Sequence, residues 1–352
     1  MVFGVRPGAA TAGRSSGFRD VYAAIDLGTN NCRLLIARPS HEGFRVIDAF
    51  SRIVRLGEGL IGSGALSEPA MARALEALRI CAGKVRRRRV TRLRAVATEA
   101  CRRAGNRRAF QERVLRETGL DLEIIGVEEE VELALIGCAP LLSPQHPEAL
   151  IFDIGGGSTE VAWLSQEGTE VRGRLGGREL RALAAVPVGV VTLAERYGRA
   201  AGDSEGFAAI VAEVMDALAP FRRQVALEPA LAAGRVQMLG ASGTVTTLVG
   251  VHLGLARYDR ARVDGSFLDF ATIRAVTQQL LALPMAARAA SPCIGVERAD
   301  LVIAGCAVLE AICRCWPVGQ LRVADRGLRE GILLSLMRPA SEPRLRGLAL
   351  PS

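Results

Sequence analysis

With 352 residues, 49% of them hydrophobic, the chain is long enough for two hydrophobic cores, and its 4% aromatic content fits alternating strands and helices rather than an all-β sandwich. No stretch of about eighteen uncharged apolar residues occurs, the start lacks a continuous apolar secretory segment, and three histidines with eight dispersed cysteines suggest reduced core thiols rather than a zinc site or a disulfide scaffold. The net charge of +8, nearly all from arginine, implies an anionic partner and says nothing of the fold.

In chain order, residues 1–20 read as a disordered tail. Residues 21–27 and 32–37 then read as strands around a tight Gly28-Thr29-Asn30-Asn31 turn, with 44–53 as a third strand. Ser67, followed by Glu68 and Pro69, caps a helix running to about Val85. The arginine run 86–89 that follows is either a solvated face or a track for a polyanion, since guanidinium forks bind phosphate oxygens in pairs. No recognition helix or aromatic-interleaved motif supports nucleic acid as that polyanion. Next come a buried strand at 93–97, a helix at 107–118 closed by Gly119, a strand at 122–125, and a helix at 128–138 that opens on Glu128, Glu129 and Glu130. Those three carboxylates suit a helix N-terminus on electrostatic grounds alone.

Residues 141–148 hold two prolines and read as a connection. Beyond them the chain repeats its opening: AAIDLGTNNCRLLIA returns as LIFDIGGGSTEVAWL, with Asp26 and Asp153 in equivalent places. Glycines at 28 and 155–157 let the backbone approach a phosphate and present a nest of N–H donors, to which Thr29, Ser158 and Thr159 add hydroxyls. An Asp ending each preceding strand suits a hard cation rather than the phosphate itself. Ser242-Gly243-Thr244 is a turn before a helix and is either an N-cap or a ligand contact.

Several motifs in order, IDLGTNN, VATEACRRAGN, EEEVELA, FDIGGGSTEV, VPVGVVTLAERY, GASGTVTTL, AGCAVLEAI and ADRGLREGIL, make the sequence resemble the exopolyphosphatase/guanosine pentaphosphate phosphohydrolase family of the actin-like ATPase superfamily, over about residues 21–336. The resemblance implies an α/β fold of two actin-like (ribonuclease H-like) domains, 21–140 and 141–338, with an active-site cleft between them and a tail at 339–352. It implies Mg²⁺ on Asp26, Asp153 and Glu160, phosphate on Gly28, Thr29, Asn30, Asn31, Arg102 and Gly155 to Thr159 (Gly156, Gly157 and Ser158 included), and Glu130, or by a one-residue shift Glu129, as the base that activates water. Ser242, Gly243 and Thr244 lie where the superfamily binds a nucleoside. The implied activity is release of terminal phosphate from inorganic polyphosphate or guanosine pentaphosphate in the cytoplasm, with no specific nucleic acid, no membrane and a homodimer as the candidate assembly. A non-catalytic polyphosphate or alarmone sensor and an actin-like kinase are the alternatives. The match ends near Met337, so longer relatives' C-terminal helical domain has no counterpart in this sequence.

Overall fold

The computed structural model describes residues 20–41, 43–166 and 178–338; the tails expected at 1–20 and 339–352 lie, Asp20 apart, outside the described residues. The chain divides into two compact units, 1–137 with 328–342, and 138–327 with 343–352. The division falls at 137/138, against the expected 140/141. The expected assignment of residues 328–338 to the second domain is corrected, because the helix Leu328–Met337 packs on the first unit's sheet.

In the first unit the opening residues alternate as a two-sided sheet requires. Strand β1 (Tyr22–Leu27) pairs antiparallel with β2 (Asn31–Ser40), which pairs antiparallel with β3 (Gly43–Ile53). On the other side β1 runs parallel to β4 (Arg92–Ala97), and β4 to β5 (Leu122–Ile124), giving the order β3-β2-β1-β4-β5. Ala23, Ile25, Leu27, Leu34 and Ile36 pack with Leu75 and Leu78 of the helix Glu68–Arg87. That helix starts where expected: Ser67 Oγ accepts the N–H of Ala70 at 3.4 Å, with Glu68 and proline in the first turn. The opposite face, Tyr22, Ala24 and Leu35, packs with Leu133 of the helix Val127–Cys138 and with Ile332 and Leu333 of Leu328–Met337. Gly331 makes the close approach of those two helices, since a Cβ there would lie 1.8 Å from the carbonyl oxygen of Leu133.

The second unit repeats this plan. Strands β6 (Glu148–Ile154), β7 (Thr159–Ser165) and β8 (Glu179–Val186) are antiparallel, while β6, β9 (Val236–Ala241) and β11 (Gln320–Ala324) are parallel. With β10 (Phe267–Asp269) at the edge, the order is β10-β11-β9-β6-β7-β8. Setting β10 aside, β8-β7-β6-β9-β11 reproduces β3-β2-β1-β4-β5, so the echo read in two turns extends over a whole sheet. The core centres on the helix Val302–Cys315, buried but for Arg314, against the helix Ser204–Val225. All eight cysteines are buried free thiols, as expected. No helix among the described residues is long and apolar enough to cross a membrane.

Candidate phosphate-handling sites of the two units

In the first unit the N–H of Gly28 donates to the carbonyl of Asn31 at 2.9 Å, closing the turn at the end of β1. A segment the sequence reading did not single out braces that turn. The N–H groups of Val54 and Arg55 both donate to the Asn30 carbonyl, at 2.8 and 3.0 Å, and that of Gly57 to Thr29 at 2.9 Å. Gly57 is required here because a Cβ would come within 2.3 Å of Thr29 Cγ2. Arg73 holds the brace from behind, donating to the carbonyls of Val54 at 2.8 Å and Arg55 at 3.2 Å. The carboxamide oxygens of Asn30 and Asn31 are buried with no hydrogen-bond partner, an unmet pair of acceptors in this turn.

Around this turn stand the charges. Asp26 faces Arg33 across β1 and β2, and burial pushes its carboxyl up while Arg33 and Arg329 oppose the shift. Glu130, on the first turn of Val127–Cys138, is ion-paired to Arg102 Nη1 at 2.5 Å and is only 18% exposed. Burial raises its pKa above the ordinary 4.5; Arg102 works against this, and the nearby Asp26 and Glu99 reinforce it. Glu129 instead points to a surface pair, bonded at 2.7 Å to Arg94, which also holds Glu123, and it is 40% exposed.

Arg102 is more committed than a free phosphate clamp would be. Its Nε and Nη2 donate to Glu99 at 3.3 and 3.0 Å, and Nη1 serves both Glu130 and the Ile125 carbonyl, at 3.1 Å. A guanidinium has five N–H donors. One remains for a phosphate oxygen, so the residue's first task in this arrangement is to hold Glu130.

The second unit's turn has the same closure, Gly155 N–H to Ser158 carbonyl at 2.9 Å, and a matching brace: Val190 N–H donates to the carbonyl of Gly155 at 3.0 Å and Val191 N–H to that of Gly156 at 2.8 Å. Here the close approach belongs to Gly189, where a Cβ would meet the Gly156 carbonyl at 2.5 Å. Asp153 and Glu160 are directly opposed across β6 and β7, and Ser158 Oγ donates to Glu160 at 2.5 Å. Thr159 is fully buried, and its hydroxyl donates to the Val188 carbonyl at 2.6 Å, tying the brace down. Ser242 is an N-cap, its Oγ accepting from Thr244 and Val245 at 3.1 and 3.2 Å, and the Thr244 side chain packs on Gly305.

A family model described as the Ppx/GppA phosphatase family matches residues 35–340, most of the chain. The chain belongs to that family. Among its relatives is exopolyphosphatase 2 of Mycobacterium tuberculosis, 31% identical over 89% of this chain and 98% of that protein. Another is the guanosine-5'-triphosphate,3'-diphosphate pyrophosphatase of Aliivibrio fischeri, 28% identical over 92% of this chain but only 61% of its own length. A solved structure of the Aquifex aeolicus PPX-GPPA enzyme superposes with a TM-score of 0.72 at 29% identity, covering 90% of this chain and 99% of that one. The α/β actin-like class expected from the motifs is thus met by this Ppx/GppA phosphatase chain.

Among the described residues no three Asp, Glu, His or Cys side chains gather into a ready cation cage. Asp153 and Glu160 nonetheless fit Mg²⁺, an ion commonly held by one or two carboxylates with water and substrate phosphates completing its shell. In the first unit Arg33 occupies the register position that Glu160 occupies in the second, so no carboxylate stands opposite Asp26. Sequence reasoning passed over Arg33, Glu99, Arg329 and the brace segments. ATEACR and DRGLREG contained two of these residues, Glu99 and Arg329, and VPVGVVTLAERY contained the second brace, but only their partners reveal what they do.

The Arg102–Glu130 pair sets an expected pH response. A base acts only when deprotonated, so activity falls as pH drops through the Glu130 pKa, which lies above the ordinary 4.5. Replacing Arg102 with Met removes the opposing positive charge, and the acid limb of the kcat/KM profile should move to higher pH. An unmoved limb would separate Glu130 from the titration.

Proposed function

We propose that the chain is a phosphohydrolase that cleaves the terminal phosphoanhydride bond of inorganic polyphosphate, and of guanosine pentaphosphate by the same chemistry, in the cytoplasm as a monomer or homodimer. The observation that carries this reading is Glu130, a carboxylate of raised pKa fixed at 2.5 Å on Arg102 in the unit that holds the braced turn closed by Gly28. The family relatives named as an exopolyphosphatase and a guanosine-5'-triphosphate,3'-diphosphate pyrophosphatase support the choice of bond.

In this mechanism Glu130 Oε2 stays on Arg102 and Oε1 accepts the proton of the attacking water. The Gly28 and Gly155 N–H groups close their turns, so phosphate oxygens are bound through the N–H groups of Thr29, Asn30, Gly156 and Gly157, and Arg102 adds its remaining donor. Asp153 and Glu160 would hold Mg²⁺. When bound, Mg²⁺ supplies neutralisation of the phosphate charge, which otherwise repels both the carboxylates and the nucleophile. A phosphate-release assay with long-chain polyphosphate, guanosine pentaphosphate and ATP tests the reading. Release from the first two and little from ATP is expected. Turnover of ATP alone would replace the reading with a nucleotide-dependent one, and no turnover of any would leave a sensor.

A further inference from the structure

Several arginines of the first unit are neutralised in pairs, Arg52 with Glu76, Arg73 with Glu58, Arg94 with Glu123 and Glu129, and Arg113 with Glu68 and Glu117. Others are not, and two of these share one register position. Arg38 and Arg45 sit directly opposite each other at the hairpin end of β2 and β3, both exposed and with no ion pair among the described residues. Like charges in direct cross-strand register are destabilising unless an anion lies between them.

The parity of the strands places this pair on a defined face. Leu34 and Ile36 pack toward the helix Glu68–Arg87, so Arg38, two residues on, faces the same side, and Arg45 shares it as the register partner. Asp48, opposite Ile36, binds Lys84 at 2.6 Å and Arg88 at 2.8 Å, which seats the C-terminal end of that helix about 7 Å along the strand from the arginine pair. That end carries Arg86, Arg87 and Arg89, all exposed and without an ion pair among the described residues. Asp48 is already shared by two cations, so it compensates none of these five arginines.

We propose that this face, Arg38 and Arg45 with Arg86, Arg87 and Arg89, is a docking surface for the distal part of a long inorganic polyphosphate chain. The class of partner follows from the groups present. Guanidinium forks bind phosphate oxygens bidentately, and the neighbouring aromatic, Phe44, packs on the sheet's opposite face rather than beside them to stack a nucleobase. The position also suits a remote site. Arg38 lies one residue beyond the register of Tyr22, while Asp26 closes the far end of β1, so the two are about 17 Å apart along the strand. A long chain spans that distance and a triphosphate does not. The proposal rests on the polyphosphate reading above, and adds remote binding energy that lowers KM for long substrates.

The test is the variant in which Arg38, Arg45, Arg87 and Arg89 are all replaced by Gln, compared with the parent in two measurements. In equilibrium binding of long-chain polyphosphate at a series of salt concentrations, the variant should bind about tenfold or more weakly, with a shallower dependence of log K on log salt. In steady-state turnover, KM for the long chain should rise while tripolyphosphate kinetics and the thermal midpoint stay at parent values. Equal binding and an equal salt slope would overturn the proposal. So would a parent that binds single-stranded RNA more tightly than polyphosphate through these arginines. If the parent turns over neither substrate the hydrolase reading fails, and the binding series still decides this one.

Discussion

Glu130→Gln should lower turnover by roughly a hundredfold or more while leaving substrate binding near the parent value, because a general base acts in the transition state far more than in the ground state. The amide keeps the side chain's size and can still meet Arg102, but it cannot accept the water's proton. Glu129→Gln is the internal control. Successive residues on a helix point about 100° apart, and here the divergence is visible: Glu130 turns to Arg102 and burial, Glu129 to Arg94 and solvent. Steady-state phosphate release from the two variants checks this. A dead Glu129→Gln beside a normal Glu130→Gln would transfer the role, and normal turnover in both would remove the carboxylate base from the mechanism.

Removal of divalent cations should abolish turnover, and Asp153→Asn should reproduce most of that loss at saturating Mg²⁺. The cause is electrostatic: Asp153 and Glu160 face each other across one hairpin, and with no cation between them they repel a polyphosphate terminus. An ion that stabilises developing phosphate charge contributes several kcal/mol. At about 1.4 kcal/mol per factor of ten, the expected deficit is on the order of a thousandfold. Mg²⁺ should also raise the thermal midpoint of the parent and fail to raise that of Asp153→Asn, since a ligand stabilises the state that binds it. Full activity in excess chelator, or an equal Mg²⁺-dependent shift in both proteins, would remove the metal from this turn.

Much of this arrangement was legible in the residues, and the illegible part has physical causes. The two turns could be read because a strand ending in Asp followed by Gly constrains the backbone locally, and Gly28 and Gly155 make the same 2.9 Å closure. The braces could not. Val54 to Gly57 and Val188 to Val190 have no periodicity, and their work is done by backbone N–H groups that any residue supplies, with Gly57 and Gly189 as the sole steric signal. The choice between Glu129 and Glu130 was also beyond sequence, since three identical side chains in a row carry no direction until Arg94 and Arg102 are placed. The helix Leu328–Met337 looked like the end of the second domain because it follows that domain in the chain. Its buried Ile332 and Leu333 complete the first unit's sheet instead, a long-range contact that amphipathic spacing cannot specify. Arg102 shows the same limit: an arginine after a strand reads as a phosphate clamp, and its carboxylate partners appear only when the helices that carry them are in position.

The central claim, hydrolysis by water activated at Glu130, is tested most directly by running long-chain polyphosphate turnover in ¹⁸O-enriched water and analysing the released phosphate and the remaining chain. The account predicts one solvent oxygen in each released orthophosphate, none in the shortened chain, and loss of that product with Glu130→Gln. Released phosphate free of solvent label, or phosphoryl groups appearing on an added nucleoside diphosphate, would contradict it.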